Sequence, residues 1–145
     1  SEDLSMIPGV AELLSNIPLL AEIPLDLREE LSRQMSIRQL SPGTVLLEEG
    51  EEGHLIFFVL KGRVRLWSEA METWMAELGP GSMLGEIGAL FGTPRTASVK
   101  AMNQVRIVCI PGIDLLRTLG SLPRVLSKIY ELARERYLHT HRVIP

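Results

Sequence analysis

Short apolar segments, separated by closely spaced turn signals, fill residues 37–110, and this pattern most limits what the chain can fold into. Ile56–Leu60 is one such segment and is rich in residues that favour strands. Turn signals rich in glycine and proline recur at Ser41–Gly43, Gly50–Gly53, Lys61–Gly62, Gly79–Gly81, Gly92–Pro94 and Pro111–Gly112. Many short strands at such spacing predict an antiparallel sandwich or barrel.

Within this region, the segment HLIFFVLKGRVRLW predicts a β-hairpin. Basic and apolar residues alternate from Arg63 to Leu66, as in a strand with one buried face. Lys61–Gly62 supplies a tight turn between the two runs. We therefore expect the strand at Ile56–Leu60 to pair with the strand that follows it.

Helical patterns flank the strands on both sides. Residues 1–36 are predicted to be mainly helical, because leucines recur near helical spacing with charged residues between them. After a short helix at 113–119, Pro123 begins a helix of about 18 residues. Its apolar stripe is Leu122, Leu126, Ile129, Ala133 and Tyr137. The predicted fold class is α+β: an antiparallel β-roll (a double-stranded β-helix, or jelly-roll-like fold) at 37–110, flanked by N-terminal helices and by C-terminal helices at 111–142.

Composition sets the remaining bounds. With 145 residues, 46% of them hydrophobic, the chain is predicted to form one domain over 1–145, as a module of a larger protein. A net charge of −3 gives no sign of a nucleic-acid-binding surface. The single cysteine, Cys109, lies in an apolar run and is expected to be buried. There is no long apolar run and no signal-like start, which predicts a cytoplasmic setting.

The segment GEIGALFGTPRTASV, Gly85–Val99, combines groups that suit a phosphorylated sugar. A short helix beginning near Gly85 would offer its first amides and the positive end of its dipole to an anion. Gly85 and Gly88 lack a Cβ, so a ligand can approach the backbone closely. Arg95 adds a forked, permanently charged donor set for phosphate oxygens, and Glu86 is a strong acceptor for a sugar hydroxyl. Together these groups describe a nucleotide site.

Each of these residues also has a simpler explanation when it is taken alone. Glu86 complements the dipole at a helix N-terminus, Arg95 forms an ion pair at the surface, and Gly85 and Gly88 shape turns. Only their joint spacing indicates a ligand.

The same segment resembles the phosphate-binding cassette of cyclic-nucleotide-binding domains. These domains occur in regulatory subunits of cAMP-dependent kinase, in cyclic-nucleotide-gated channels and in bacterial catabolite-activator-type regulators. The upstream segment LSPGTVLLEEGEEGHLIFFVLKGRV also resembles the family, and the similarity spans roughly residues 17–137. The resemblance implies a regulatory domain rather than an enzyme. Its ligand would be cAMP or cGMP, with no metal or other cofactor.

The resemblance also implies individual roles. Glu86 accepts a hydrogen bond from the ribose 2′-hydroxyl, Arg95 pairs with the cyclic phosphate, and Thr96 and Ala97 lie beside the phosphate and base. Backbone amides near Gly85 hold ribose and phosphate oxygens. The complete predicted site is Gly85, Glu86, Ile87, Gly88, Arg95, Thr96 and Ala97.

The C-terminal helix is the expected lid over the base, and its candidate residues are Ile129, Leu132, Ala133, Arg136 and Tyr137. Threonine at position 96 is associated with cGMP in the family, but the sequence Arg-Thr-Ala-Ser also occurs in members that favour cAMP. We expect cAMP. The chain departs from the family's usual residues at Leu84, Gly88 and His54, and none of these departures removes a predicted ligand contact.

Two other functions stay open at this point. A metalloenzyme of the cupin kind is disfavoured, because His54 is the only histidine in the roll region. A protein-interaction module would keep the roll, leave the pocket unused and employ the C-terminal helix as a dimer surface. The expected partners are a cyclic nucleotide and an output domain or partner protein, with a homo-oligomer still open. This segment is expected to contact no nucleic acid and not to insert into a membrane. The cytoplasmic setting also allows it to be the cytosolic domain of a membrane protein.

Overall fold

A computed structural model describes the backbone of residues 2–3 and 14–142 and the side chains of residues 14–138. The N-terminal part contains a 3-10 helix at Leu14–Asn16 and helices α1 (Pro18–Ala21) and α2 (Leu25–Ser32). Glu2–Asp3 forms a short strand, β1, which differs from the predicted helical segment at 1–36. The part of that segment at 4–13 lies outside the described residues.

Eight further strands follow and form an antiparallel roll of two sheets. One sheet has the order β1-β2-β9-β4-β7 and the other has the order β3-β8-β5-β6. The strands are β2 (Ser36–Leu40), β3 (Val45–Leu47), β4 (Leu55–Lys61), β5 (Val64–Ser68), β6 (Thr73–Leu78), β7 (Met83–Leu84), β8 (Ser98–Ala101) and β9 (Val105–Pro111).

The predicted hairpin is wrong, because β4 and β5 lie in different sheets. β4 pairs with β7 and β9, whereas β5 pairs with β6 and β8. The chain crosses between the sheets at Gly62, which has a φ of +87° and no room for a Cβ against the carbonyl of Gln104. Alternating hydrophobicity shows that a strand has one buried face, but it does not identify the neighbouring strand.

Three helices complete the fold: α3 (Glu86–Phe91), α4 (Gly112–Leu119) and α5 (Pro123–Arg142). The predicted short helices and the long C-terminal helix are therefore present. The whole is an α+β fold, an antiparallel β-roll flanked by helices, and the predicted fold class is confirmed.

β4 separates two hydrophobic clusters. Ile56 and Phe58 pack against the terminal helices, while Phe57 and Val59 face the second sheet. All four are at most 2% exposed, and each such burial contributes about 1.5–3 kcal/mol. Cys109 belongs to the second cluster, so its predicted burial is confirmed, and this burial raises the pKa of its thiol.

Candidate functional site

A cavity of about 490 Å³ lies between the inner face of the β3-β8-β5-β6 sheet, helix α3 and the end of α5. Its sheet wall is apolar and includes Leu47, Leu66, Leu78 and Val99. All seven residues of the predicted site line it: Gly85, Glu86, Ile87, Gly88, Arg95, Thr96 and Ala97. The structure therefore brings together in one cavity a set of residues that the sequence separates into two groups.

Helix α3 begins at the floor of this cavity, and Gly85 sets its start. Gly85 adopts a left-handed conformation with a φ of +78°, which glycine tolerates without strain. Its carbonyl accepts the first intrahelical hydrogen bond, from the amide of Ala89 at 3.1 Å. The amides of the first turn, including those of Ile87 and Gly88, consequently have no acceptor within the helix.

Arg95 is 6% exposed, and its guanidinium is held by backbone carbonyls. Nη1 donates to the oxygen of Gly85 at 2.9 Å, and Nη2 donates to the oxygen of Leu55 at 3.1 Å. These contacts use two of the five N–H donors of the side chain. No carboxylate oxygen lies within 4.0 Å of Arg95 among the residues that the structure describes. Burial lowers the pKa of Arg95, against the opposing effect of Glu86 and Glu51.

Glycines make the space that the Arg95 guanidinium occupies. A Cβ on Gly53 would overlap Nη2 and lie 2.7 Å from Nε, and a Cβ on Gly85 would lie 2.8 Å from Nη1. Gly88, one of the noted departures, is also close, since its Cβ would lie 3.3 Å from Nη1. The glycines that were predicted to admit a ligand thus also admit the arginine.

Glu86 is 2% exposed and is paired with the C-terminal helix. Its Oε1 accepts a hydrogen bond from Nη1 of Arg136 at 2.7 Å, and the same nitrogen donates to the carbonyl of Met83. A buried carboxylate requires such a partner. The pair fastens α5 to the first turn of α3, and both of its residues line the cavity.

Helix α5 reaches the cavity with Glu135, Arg136 and Leu138. Of the five lid candidates, only Arg136 lines it. Ile129 and Ala133 are fully buried in the protein, and Tyr137 stacks edge-on against Phe91 with 6.1 Å between ring centroids. The fifth candidate, Leu132, is exposed.

Sequence reasoning missed several cavity residues and one support. Met75 and Ala76 of β6 and Glu135 and Leu138 of α5 were not predicted to line the cavity. Gly53 lies in the upstream segment that resembles the family, but its closeness to Arg95 was not predicted. Arg136 was a lid candidate, but its pairing with Glu86 was not predicted. A signal for it exists, because Arg136 lies seven residues after Ile129 and so places a charge on an otherwise apolar helix face. Leu84 and His54 are the other two residues that differ from the family's usual ones. Leu84 lines the cavity, and the carbonyl of His54 accepts a hydrogen bond from the amide of Gly112 at 2.8 Å.

Comparison with known proteins identifies the family. A family model described as the cyclic nucleotide-binding domain matches residues 37–121, which is more than half of the chain. This chain belongs to the cyclic nucleotide-binding domain family. The family resemblance inferred from the cassette is therefore confirmed.

Relatives of this cyclic nucleotide-binding domain include channels and kinase regulatory subunits. A cyclic nucleotide-gated potassium channel of Rhizobium etli is 30% identical over 125 residues, covering 86% of this chain and 34% of the channel. A cAMP-dependent protein kinase regulatory subunit of Mycosarcoma maydis is 27% identical over 124 residues, covering 81% of this chain and 24% of the subunit. The chain thus spans about a third or less of the length of these relatives.

Solved structures share the fold. The regulatory subunit of a cAMP-independent protein kinase A from Trypanosoma cruzi, bound to guanosine, superposes with a TM-score of 0.75 at 23% identity. The match covers 92% of this chain and 49% of the other.

Within residues 14–142, no helix combines the length and apolarity needed to cross a membrane. Nor do the described residues contain a group of three or more histidine, cysteine or acidic side chains suited to a metal ion.

Proposed function

We propose that this domain binds a cyclic nucleotide, cAMP in preference to cGMP, in the cavity beside α3, and relays its occupancy to an output domain. The observation that supports this most strongly is Arg95. Its guanidinium is buried, contacts only carbonyl oxygens through its Nη atoms, and has no carboxylate within 4.0 Å among the described residues. An uncompensated buried charge is costly, and a phosphate anion in the cavity would compensate it.

The other walls of the cavity suit the remaining parts of a nucleotide. Glu86, at the first turn of α3, accepts from a ribose hydroxyl, while the free amides of that turn donate to ribose and phosphate oxygens. Apolar residues of the sheet cover the base. The volume of about 490 Å³ falls within the range of small-molecule sites.

The choice of base depends on few polar groups. Thr96 and Glu135 line the cavity and offer a hydroxyl and a carboxylate to a guanine, which makes cGMP the second candidate. The rest of the wall is mainly apolar, which suits an adenine and supports the preference for cAMP. Titration with both nucleotides separates these alternatives.

Transmission runs through α5. This helix contacts α3 through the Arg136–Glu86 pair and through Phe91, whose ring lies 6.1 Å from Tyr137 and 6.3 Å from Tyr130. It also contacts Glu22, beside α1, through Lys128 at 2.6 Å. The protein has conformations that differ in the position of α5. A ligand that binds one of these conformations more tightly increases its population, and an attached domain responds to the change. The domain acts in the cytoplasm as a non-catalytic regulatory domain. It is part of a longer protein that also contains the output domain.

Calorimetric titration with cAMP and cGMP tests the proposal. The native protein should bind at least one of them saturably. Arg95→Ala should weaken binding by about 2–5 kcal/mol, roughly 30-fold or more, because it leaves the ligand phosphate unpaired. Arg117→Ala, whose side chain is 72% exposed in the native protein, is the matched control and should bind normally.

Because Arg95 is buried, circular dichroism must first show that the variant is folded, and Arg95→Lys serves as a second variant. Lysine retains the charge but loses the forked donor set, so it should bind with intermediate affinity. Native protein that binds neither nucleotide, or a folded Arg95→Ala that binds as tightly as native, would contradict the proposal. The first result would favour an interaction module with an unused pocket.

A further inference from the structure

The outer face of the β3-β8-β5-β6 sheet carries a second groove, of about 520 Å³, on the side opposite the nucleotide cavity. Trp67 follows Leu66 in β5, and successive side chains of a strand point to opposite faces. Leu66 lines the nucleotide cavity, so Trp67 lies outside it. We call this surface the tryptophan shelf, defined by Val45, Glu48, Trp67, Glu69, Trp74 and Lys100.

The centre of the shelf is aromatic and open to solvent. Trp67 and Trp74 are paired across β5 and β6, with ring centroids 4.9 Å apart and an interplanar angle of 66°. Trp74 is 50% exposed and Val45 is 48% exposed. Large apolar side chains grouped in an exposed groove are typical of interaction sites rather than of an ordinary surface.

The rim beside the tryptophans is acidic. Glu48 and Glu69 are exposed, and neither has an ion-pair partner within 4.0 Å among the described residues. Glu49 adds a fixed wall, because its two carboxylate oxygens accept from the amides of Glu69 and Ala70, both at 3.1 Å. Among the described residues that line the groove, Lys100 is the only basic one, and it has no ion-pair partner within 4.0 Å.

The shelf already accommodates one guanidinium. Arg65 lies with Cζ 4.7 Å from the ring centroid of Trp74, while its Nη2 donates to Glu77 at 2.8 Å. A cation over a tryptophan face and beside a carboxylate is stabilised by both groups. Around Trp67, the carboxylates of Glu48 and Glu69 again lie on the same groove as a tryptophan, and no arginine of the described residues lines it.

We propose that the tryptophan shelf docks a segment of a partner protein that presents an arginine or lysine next to an aliphatic side chain. The basic group lies against the tryptophans, between the carboxylates of Glu48 and Glu69, and the aliphatic group covers Val45. Charge disfavours a second copy as the occupant, since each chain has a net charge of −3 and the rim is acidic. This proposal does not depend on nucleotide binding.

Intrinsic fluorescence tests it directly, because Trp67 and Trp74 are the only two tryptophans in the sequence. The probe is an acetylated and amidated peptide, Gly-Arg-Leu-Arg-Gly, and the matched probe replaces each arginine by neutral citrulline. We expect the arginine peptide to change the fluorescence saturably, and the citrulline peptide to bind at least about tenfold more weakly, which corresponds to about 1.4 kcal/mol.

Two variants with equal charge change locate the site. Glu48→Gln with Glu69→Gln should weaken the arginine peptide about tenfold or more, whereas Glu29→Gln with Glu30→Gln, in α2, should leave its affinity unchanged. Equal affinity for the two peptides, equal effects of the two double variants, or no saturation below about 1 mM would overturn the proposal. So would a dimer in sedimentation that Trp74→Ala dissociates, since it would assign the shelf to a second copy.

Discussion

Two arginines line the cavity beside α3, and their surroundings differ. Arg95, on the floor, is 6% exposed and its guanidinium nitrogens donate to backbone carbonyls. Arg136, on α5, has a side chain that is 34% exposed and pairs with Glu86 at 2.7 Å. One guanidinium is buried without a carboxylate beside it, and the other is half-buried with one.

We infer from this difference that Arg95 has a binding role and that Arg136 has a structural one. The charge of Arg136 is already compensated, so its main effect is to fasten α5 to α3. The charge of Arg95 is compensated only by carbonyl dipoles and by distant carboxylates, so an anionic ligand has the most to contribute there. Substitutions that move one arginine without the other can test this distinction.

After Arg95→Ala itself, the largest effect is expected from Gly53→Ala. The new Cβ would displace the Arg95 guanidinium without removing any group that contacts the ligand. We expect cAMP affinity to fall about 10- to 100-fold, because charge-assisted hydrogen bonds contribute about 1.5–3 kcal/mol. Calorimetry provides the measurement.

Gly79→Ala is the matched control for this substitution. Its Cβ would lie 2.7 Å from Nη1 of Arg63, an arginine that is exposed and free to move aside. Binding should therefore stay close to native. Similar losses of cAMP affinity in both variants would contradict this account, because they would show that the loss in Gly53→Ala does not come from displacement of Arg95.

The lid arginine should affect stability instead. Arg136→Gln leaves the buried carboxylate of Glu86 without its cation, and we expect a loss of about 1–2 kcal/mol, allowing for the partial exposure of Arg136. For a chain of this size the unfolding midpoint should fall by about 2–8 °C, as measured by thermal unfolding without ligand.

Lys128→Gln removes another ion pair of the same helix and is the control for the lid arginine. Lys128 and Glu22 have side chains that are 51% and 45% exposed, so their pair should contribute at most about 1 kcal/mol. If the two variants lowered the midpoint equally, the Arg136–Glu86 pair would not be the connection between α5 and α3 inferred above.

The cassette was predictable from the sequence because its groups are close together in the chain. Glu86, Arg95 and the glycines between and before them lie within eleven positions, and short helices and turns fix such neighbours locally. The strands and helices were predictable for the same reason, since periodicity is a local property. These features specify the floor of the cavity.

Long-range placement was not predictable in the same way. The hairpin prediction failed because strand alternation does not specify which sheet β5 joins. The contact of Gly53 with Arg95 depends on a loop more than forty residues before the arginine in the chain. Most of the residues that α5 places at the cavity were not predictable either, because Ile129 and Ala133 of the apolar stripe are buried in the protein, and Glu135 and Leu138 lie beside that stripe.

The smallest effect on ligand binding is expected from a substitution at Thr96, which lines the cavity. If Thr96 contributes a neutral hydrogen bond to a guanine, Thr96→Ala should weaken cGMP binding about 2- to 10-fold and leave cAMP within about twofold. Parallel titrations of native protein and variant measure the ratio. Equal losses for both nucleotides would remove Thr96 as a determinant of base preference and leave the Arg95 comparison intact.

The central claim is that the positive charge of Arg95 pairs with the negative charge of a ligand phosphate. A comparison of cAMP with adenosine tests this claim most directly. Both ligands carry the same base and a ribose, but only cAMP brings the anion. We predict that native protein binds cAMP at least about 100-fold more tightly than adenosine, and that folded Arg95→Ala reduces this ratio to below about tenfold. An unchanged ratio in the variant would contradict the claim, because it would mean that Arg95 does not distinguish a ligand with a phosphate from one without.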